Sequence, residues 1–77
     1  MALTETKAKV LGALAESERR LTVRELSELT ELSERVADQD AAELERSGLA
    51  QGNGRGYRIT GAGRALASKP VYREYGR

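Results

Sequence analysis

The sequence predicts a small α+β domain that is mostly helical and contains one antiparallel β-hairpin. Apolar residues recur at helical spacing through most of residues 3–47, and hydroxyl side chains suited to helix N-caps precede these runs. After Gly48 the apolar residues alternate instead, and Asn53-Gly54 separates two short alternating runs, which is typical of a hairpin. The 77 residues have the size of one domain, for which we expect a core over about 4–68 and a tail over 69–77.

The first two helices are predicted from their starts. Thr4 can cap a first helix that runs to about Ser17, because its hydroxyl can accept a free amide proton of the first turn. Apolar residues form one stripe of this helix: Leu3, Val10, Leu11, Leu14 and Ala15. Thr22-Val23-Arg24-Glu25 is a capping box, so a second helix begins there and ends near Thr30. Its apolar face is continued by Leu26 and Leu29.

A third helix and the hairpin follow. The helix is predicted to begin at Ser33, another N-cap, and to end at Gly48, which suits a left-handed helix end. Its inward stripe is narrow and consists of Ala37, Ala41 and Leu44. Two short strands are predicted over 49–51 and 57–60. We expect a type I′ turn between them, with positive φ at both residues of Asn53-Gly54.

Three further features complete the predicted order of elements. Leu21-Thr22-Val23 can add a very short third strand beside the hairpin. A last helix is capped by Thr60 and runs through Ala67. Lys69-Pro70 then stops it, since proline lacks an amide donor. Tyr57 is assigned to the core, on the inward side of its strand.

The charge of the chain is distributed unevenly. Residues 1–45 hold six basic and eleven acidic side chains, a net charge of −5, whereas residues 46–77 hold seven basic and one acidic side chain, a net charge of +6. Such a difference between the two parts of a chain favours an anionic partner for the basic part. The alternative is that the two parts neutralise each other in the folded domain.

The composition excludes most catalytic chemistry. The chain contains neither cysteine nor histidine, so it offers no disulfide, no thiolate or imidazole metal ligand, and no Ser/His or Cys/His catalytic pair. A magnesium site could be imagined on four acids, Glu31, Glu34, Asp38 and Asp40, but a solvated acidic surface is the better interpretation. We expect no enzyme activity, no cofactor and no metal, because so short a chain does not enclose a ligand-sized cleft alone.

The sequence also carries no signal for membrane insertion or export. No apolar run approaches the length of a membrane span. The first residues lack the charged and then apolar order of a signal peptide. We therefore expect a cytoplasmic protein without a membrane partner.

Four runs of residues, in this order and spacing, are similar to segments of one known domain. They are Leu21–Leu26 at the start of the second helix, Leu32-Ser33 before the third helix, Leu44–Leu49 at its exit, and Tyr57–Leu66 across the second strand and the last helix. Through them, residues 22–67 resemble the winged helix-turn-helix domain of MarR-like and ArsR-like transcriptional regulators of bacteria and archaea. The resemblance implies a winged helix-turn-helix fold.

The resemblance further implies binding of double-stranded DNA by a transcriptional regulator or accessory factor. The third helix would lie in the major groove, and the hairpin, or wing, would contact the backbone or the minor groove. Carried over position by position, the outward residues of the third helix are Ser33, Glu34, Arg35, Asp38, Gln39, Ala42 and Glu43, and the tip of the wing is Asn53, Gly54, Arg55 and Gly56. The candidate DNA-binding residues are Arg24, Ser33, Arg35, Gln39, Asn53, Arg55 and Arg58. Arg55 has glycines on both sides, which would let it approach a duplex closely. Arg58 could instead pair with acids of the third helix.

The third helix departs from this pattern because it is acidic. From Ser33 to Ser47 it holds five acidic and two basic side chains, and phosphates repel such a segment. One interpretation is that the wing arginines anchor DNA while Arg35 and Gln39 read bases. Further basic residues would support that anchor: Arg64, Lys69, Arg73 and Arg77. The alternative is a protein-interaction or adaptor module that uses the acidic helix as its docking surface.

A homodimer is compatible with either interpretation. An apolar seam on the first helix, or Tyr72 and Tyr75 in the tail, could form its contact. Two copies would also suit a domain whose aliphatic core is this small. On DNA, a dimer would place two domains on paired half-sites.

Overall fold

Between residues 3 and 73, the part of the chain that the computed structural model describes, the domain consists of five helices and one hairpin. In chain order the elements are α1 (Glu5–Glu16), α2 (Val23–Thr30), α3 (Glu34–Arg46), β1 (Ala50–Asn53), β2 (Gly56–Ile59), α4 (Gly61–Ala67) and α5 (Pro70–Arg73). The two strands are antiparallel. The predicted fold class, mostly helical with an antiparallel hairpin, is confirmed.

Four helices begin at the caps that the sequence predicts. The side-chain oxygens of Thr4, Thr22, Ser33 and Thr60 each accept a hydrogen bond from the amide three residues later, at 3.0–3.2 Å. In α2 the Glu25 carboxylate also accepts from the Thr22 amide at 3.0 Å, which completes the capping box. These contacts satisfy amides that have no partner within their own helix.

The ends of α2 and α3 have left-handed residues. Gly48 has a φ of 77°, as predicted, and the next amide, that of Leu49, donates to the Leu44 carbonyl at 2.9 Å. Glu31 ends α2 with a φ of 63°. The turn between α2 and α3 is closed by Ser27, whose hydroxyl donates to the Leu32 carbonyl at 2.5 Å. This short connection fixes how the two helices are arranged.

The hairpin is confirmed, but the prediction for its turn is wrong. Asn53 pairs with Gly56 at the end of the ladder, so Gly54 and Arg55 form the turn. Neither Asn53 nor Gly54 has a positive φ, which excludes the type I′ turn. Instead the Asn53 side-chain oxygen accepts from the Arg55 amide at 2.7 Å, and the positive φ lies at Gly56.

The third strand is reduced to a single residue. Leu21 pairs with Tyr57 through two backbone hydrogen bonds of 2.7 and 2.8 Å. The pairing ends there because Thr22 is the cap of α2 and Val23 is already helical. One bridge is nevertheless enough to attach the wing to the loop that precedes α2.

An aliphatic core lies where α1, α2, α3 and β1 meet. Its buried members are Val10, Leu11, Leu14, Leu21, Leu26, Ala37, Ala41, Leu44 and Ala50. Tyr57 packs against this cluster, half-buried. The prediction that Leu29 belongs to the apolar face of α2 is wrong, since Leu29 is 62% exposed. The packed stripe of this short helix runs instead through Val23, Leu26 and Thr30, at spacings of three and four.

The segment after α4 is ordered as a further helical turn. The helix α4 ends at Ala67 as expected, but Pro70 opens α5 rather than only ending a helix, because proline is tolerated at a first helical position. The Tyr72 hydroxyl accepts from the Leu3 amide at 3.3 Å, beside the start of α1. Tyr75 and Arg77, to which roles were assigned above, lie outside the described residues.

No helix within residues 3–73 is both long enough and apolar enough to cross a membrane.

Candidate nucleic-acid interface

The side of α3 that points away from the core carries no acidic residue along its centre. The helix buries Ala37, Ala41 and Leu44. Opposite them, at spacings of four, three and four residues, lies a line that we call the outward ridge: Arg35, Gln39, Ala42 and Arg46. The two arginines and the glutamine are exposed, and the alanine is half-buried. The ridge is therefore basic and polar although the helix as a whole is acidic.

Two acids of α3 face the wing and bind it. The Glu45 carboxylate accepts from the Gly52 amide at 3.0 Å. The Tyr57 hydroxyl donates to the Asp38 carboxylate over 3.4 Å, which is long for this type of bond. Burial raises the pKa of Tyr57 above its usual value of 10, and the negative charges of Asp38 and Glu45 raise it further. Both acids thus lie on the flank of α3 that adjoins the hairpin.

Two other acids of α3 lie away from the outward ridge. Glu43, predicted to face outward, is half-exposed on the side of α1, and Asp40 is buried. Glu43 forms an ion pair with Lys7 of α1, and the hydrogen bond from this lysine lowers the pKa of Glu43. Asp40 is only 7% exposed, and one of its oxygens has no hydrogen-bond partner among residues 3–73. The expectation that Asp40 belongs to a solvated acidic surface is therefore wrong. Glu34 lies in the first turn, where the helix dipole favours a negative charge.

The wing presents its two arginines to solvent. Arg55 lies in the turn, and Arg58 lies on β2 opposite Gln51. Both side chains are exposed, and neither forms an ion pair with any residue between 3 and 73. The alternative that Arg58 pairs with acids of α3 thus finds no support in this arrangement. Two guanidinium groups remain available to an external anion.

A shallow cleft joins the wing to the two helices of the helix-turn-helix. Its walls come from the start of α2, the middle of α3 and the tip of the hairpin: Thr22, Val23, Asp38, Asn53, Gly54, Arg55, Gly56 and Tyr57. Of the predicted site residues, Asn53 and Arg55 lie in this cleft. Arg35 and Gln39 lie on the outward ridge of α3, and Arg58 lies on an exposed position of β2.

Two predicted site residues have simpler surroundings. Arg24 is exposed in the first turn of α2, next to Val23 at the edge of the cleft. The Ser33 side-chain oxygen accepts from the Val36 amide at 3.1 Å, so this oxygen already caps α3. Ser33 is exposed, and a hydroxyl that accepts one hydrogen bond can also donate one. Arg64, one of the supporting basic residues, donates to the Ala15 carbonyl at 3.4 Å and so helps to end α1.

Two basic residues of this region were missed from the sequence. Arg46 completes the outward ridge, and its spacing of eleven residues from Arg35 could have revealed it. Arg20 supports the base of the wing, where its guanidinium donates to the Gln51 and Gly56 carbonyls at 3.2 and 3.3 Å. No sequence signal could have revealed Arg20, because its acceptors are backbone atoms more than thirty residues away.

Comparison with known proteins supports the fold. No protein-family model matches this chain, and no curated protein does. The crystal structure of a MarR family protein from Mycobacterium tuberculosis is similar, with a TM-score of 0.81 and 24% sequence identity. The similarity covers 95% of this chain and 56% of that protein, so this chain spans little more than half of its length. The fold is therefore a winged helix-turn-helix, as residues 22–67 predict: α2 and α3 form the helix-turn-helix and β1 and β2 form the wing.

Proposed function

We propose that this domain binds double-stranded DNA as a transcriptional regulator or accessory factor. In this proposal the outward ridge of α3 enters the major groove, and the wing contacts the backbone or the minor groove. One observation carries the proposal: four arginines of α3 and the wing are exposed, and they are Arg35, Arg46, Arg55 and Arg58. The likeness of the fold to a MarR family protein supports the same role.

The arrangement of the acids weakens the main objection to DNA binding, which is the negative charge of α3. Phosphate contacts dominate affinity for DNA, so a helix of net negative charge would be repelled if its acids faced the duplex. Here Glu43 is neutralised by Lys7, Asp40 is buried, and Asp38 and Glu45 are exposed but bound to the wing. The fifth acid, Glu34, is exposed in the first turn of α3, off the outward ridge. A phosphate that approaches the outward ridge would meet guanidinium groups first.

The outward ridge also has side chains that can distinguish bases. Gln39 can form two hydrogen bonds with adenine, and Arg35 or Arg46 can do the same with guanine, each such pair discriminating by about 1–3 kcal/mol. Arg55 at the tip of the wing would bind the phosphate backbone or a narrow minor groove. Arg24 and Ser33, at the starts of α2 and α3, would contact phosphates beside them.

We further propose a cytoplasmic protein that acts by binding rather than by catalysis. A homodimer would place two of these surfaces on half-sites about one turn of DNA apart, which raises affinity without any new contact in the single domain.

Titration of a labelled duplex at low salt, followed by fluorescence anisotropy, tests the proposal. We expect the wild type to bind at micromolar concentration, and the double variant Arg55→Glu/Arg58→Glu to lose binding. As a matched pair, Arg55→Glu and Lys9→Glu change the net charge equally, but Lys9 belongs to α1 rather than to α3 or the wing. Because Lys9 also pairs with Glu5 at 3.8 Å, circular dichroism must first show that both variants are folded. Of these two variants, only Arg55→Glu should strongly weaken binding to the duplex. A wild type that leaves the duplex unbound at tens of micromolar protein would contradict the proposal and favour the adaptor alternative.

A further inference from the structure

The inner edge of the wing is held against α3 by a compact group of four residues, Asp38, Glu45, Gly52 and Tyr57, which we call the wing clasp. Glu45 accepts from the Gly52 amide at 3.0 Å, and Tyr57 donates to Asp38 over 3.4 Å. Gly52 lies directly opposite Tyr57 in the ladder. A Cβ atom on Gly52 would lie 2.7 Å from the Tyr57 ring and 3.1 Å from the Glu45 carboxylate. A side chain at position 52 would therefore displace the Tyr57 ring, whereas Asp38 and Glu45 themselves are exposed.

The clasp joins the hairpin to α3, while separate contacts join it to the loop before α2. Those contacts are the bridge between Leu21 and Tyr57 and the hydrogen bonds from Arg20. An isolated two-stranded hairpin is only marginally stable, so the wing depends on such attachments to the rest of the domain. The base of β1 also packs on α3, through the buried Ala50. The clasp is the attachment to α3 that lies nearer the tip of the wing, at the pair Gly52 and Tyr57.

We propose that Glu45 and Asp38 are positioning residues, which hold the wing at a fixed place relative to the outward ridge so that both can contact one duplex. The inference rests on the proposed function. It assigns a purpose to acids that would oppose DNA binding if only their charge mattered. In this role their carboxylates serve as hydrogen-bond acceptors for the wing.

Two explanations of the role of Glu45, its negative charge and its positioning of the wing, predict opposite changes in DNA affinity for Glu45→Ala. If only charge matters, Glu45→Ala removes a repulsion and strengthens DNA binding, as Glu45→Gln does. If Glu45 positions the wing, Glu45→Ala weakens binding, whereas Glu45→Gln keeps an oxygen that can accept from the Gly52 amide. Glu34→Ala is the matched control, because Glu34 is an exposed acid of the same helix without a contact to the wing.

The experiment compares the affinities of these variants for one labelled duplex, after circular dichroism has shown that each is folded. We expect Glu45→Ala to bind about three- to tenfold more weakly than the wild type, the range that one hydrogen bond supplies. Glu45→Gln and Glu34→Ala should bind as tightly as the wild type or more tightly. Equal affinities of Glu45→Ala and Glu45→Gln would overturn the inference, provided that the wild type binds.

A second set of variants separates positioning of the wing from a general structural role. In a background that carries Arg55→Ala and Arg58→Ala, the difference between Glu45→Ala and Glu45→Gln should disappear, because the wing has no arginine contact left to misplace. A difference that persists there would overturn the inference. Tyr57→Phe, which leaves the charge unchanged, should also weaken binding. Tyr72→Phe, which removes a hydroxyl near Leu3, should not.

The two proposals fail in different ways. If the wild type does not bind duplex DNA, both are lost. If the wild type binds and Tyr57→Phe, Glu45→Ala and Glu45→Gln all bind equally well, only the positioning role is lost.

Discussion

Gly56 lies where the wing passes close to the loop before α2. Its φ is 125°, a conformation that side chains with a Cβ atom rarely adopt. A Cβ atom there would also lie 2.2 Å from the Leu21 carbonyl oxygen. Both conditions follow from the bridge between Leu21 and Tyr57, which brings the two backbones together.

Replacement of Gly56 should therefore be costly. We expect Gly56→Ala to lower the free energy of unfolding by at least about 2 kcal/mol, because the backbone is strained and the bridge must open. Urea unfolding followed by circular dichroism measures this change. Gly54→Ala is the control, since a Cβ atom on Gly54 would have no neighbour within 4 Å and the φ of Gly54 is not positive. A similar small effect of both substitutions would show that the close approach is unimportant.

The roles of residues whose contacts are close in sequence were predicted well. The roles of residues whose contacts are distant in sequence were not. Thr22 and Gly48 act through amides and carbonyls a few residues away, so their neighbours in sequence define their roles. Asn53-Gly54 misled the prediction because this pair is typical of a type I′ turn. The register of the hairpin instead depends on Gly56, which must pass Leu21.

At the scale of elements, α2 depends on its first turn. Glu25 both completes the capping box and forms an ion pair with Arg19 at 2.6 Å. The hydrogen bond from Arg19, followed by that from the Thr22 amide, lowers the pKa of Glu25 from 4.5 to about 2. The folded state therefore binds a proton at Glu25 less readily than the unfolded state does.

This pKa gives stability a defined pH dependence. A carboxylate with a lowered pKa stabilises the fold fully above its unfolded value of about 4.5, and the stabilisation is lost as the pH falls toward about 2. We expect the free energy of unfolding to fall more steeply between pH 5 and pH 2 in the wild type than in Glu25→Gln. Denaturant unfolding at several pH values measures both slopes. Parallel slopes would contradict the lowered pKa.

The helix α3 shows why a count of charges is a poor guide to a binding surface. Its five acids and two arginines suggest repulsion of DNA, but helical geometry separates them. The arginines lie on the outward ridge, whereas Asp38 and Glu45 lie beside the wing. The helical period already places the arginines and these two acids on different sides of α3, so the sequence could have assigned Arg46 to the ridge. The partners of the acids depend on how α1 and the wing pack, which periodicity does not show.

Replacement of Arg46 tests whether the outward ridge of α3 contacts DNA. If the outward ridge enters the major groove, Arg46→Ala should weaken DNA binding by about 1 kcal/mol or more, as expected for a lost contact of a charged side chain. Arg19→Ala, which removes an arginine outside α3 and the wing, provides the comparison under conditions where the domain remains folded. Anisotropy titrations of both variants measure the difference. An Arg46→Ala protein with unchanged affinity would exclude the end of the ridge from the interface.

At the scale of the whole molecule, the order of elements was predictable because strong local signals occur in sequence. Four N-caps, Gly48 and the change of apolar period define three helices, a hairpin and a further helix before any contact is known. The helical turn α5 was missed because Pro70 can end one helix and begin another. The exposure of Leu29 was missed because α2 packs along a narrow stripe.

The uneven charge of the chain also has its explanation at this scale. The acidic part of the sequence contains α1, α2 and most of α3, and the basic part contains the wing and the last helices. Direct neutralisation of one part by the other would place ion pairs between them. The three ion pairs of residues 3–73 all lie within the acidic part, and Arg55 and Arg58 belong to none of them. The excess positive charge of the wing therefore remains available to a partner.

The central claim is that exposed wing arginines bind DNA phosphates, and the salt dependence of binding tests it most directly. The logarithm of the association constant for a duplex should fall linearly with the logarithm of the salt concentration. The slope for Arg55→Ala/Arg58→Ala should be smaller in magnitude than that of the wild type by about two, since each lost phosphate contact changes the slope by about 0.9. Equal slopes for the two proteins would contradict the claim.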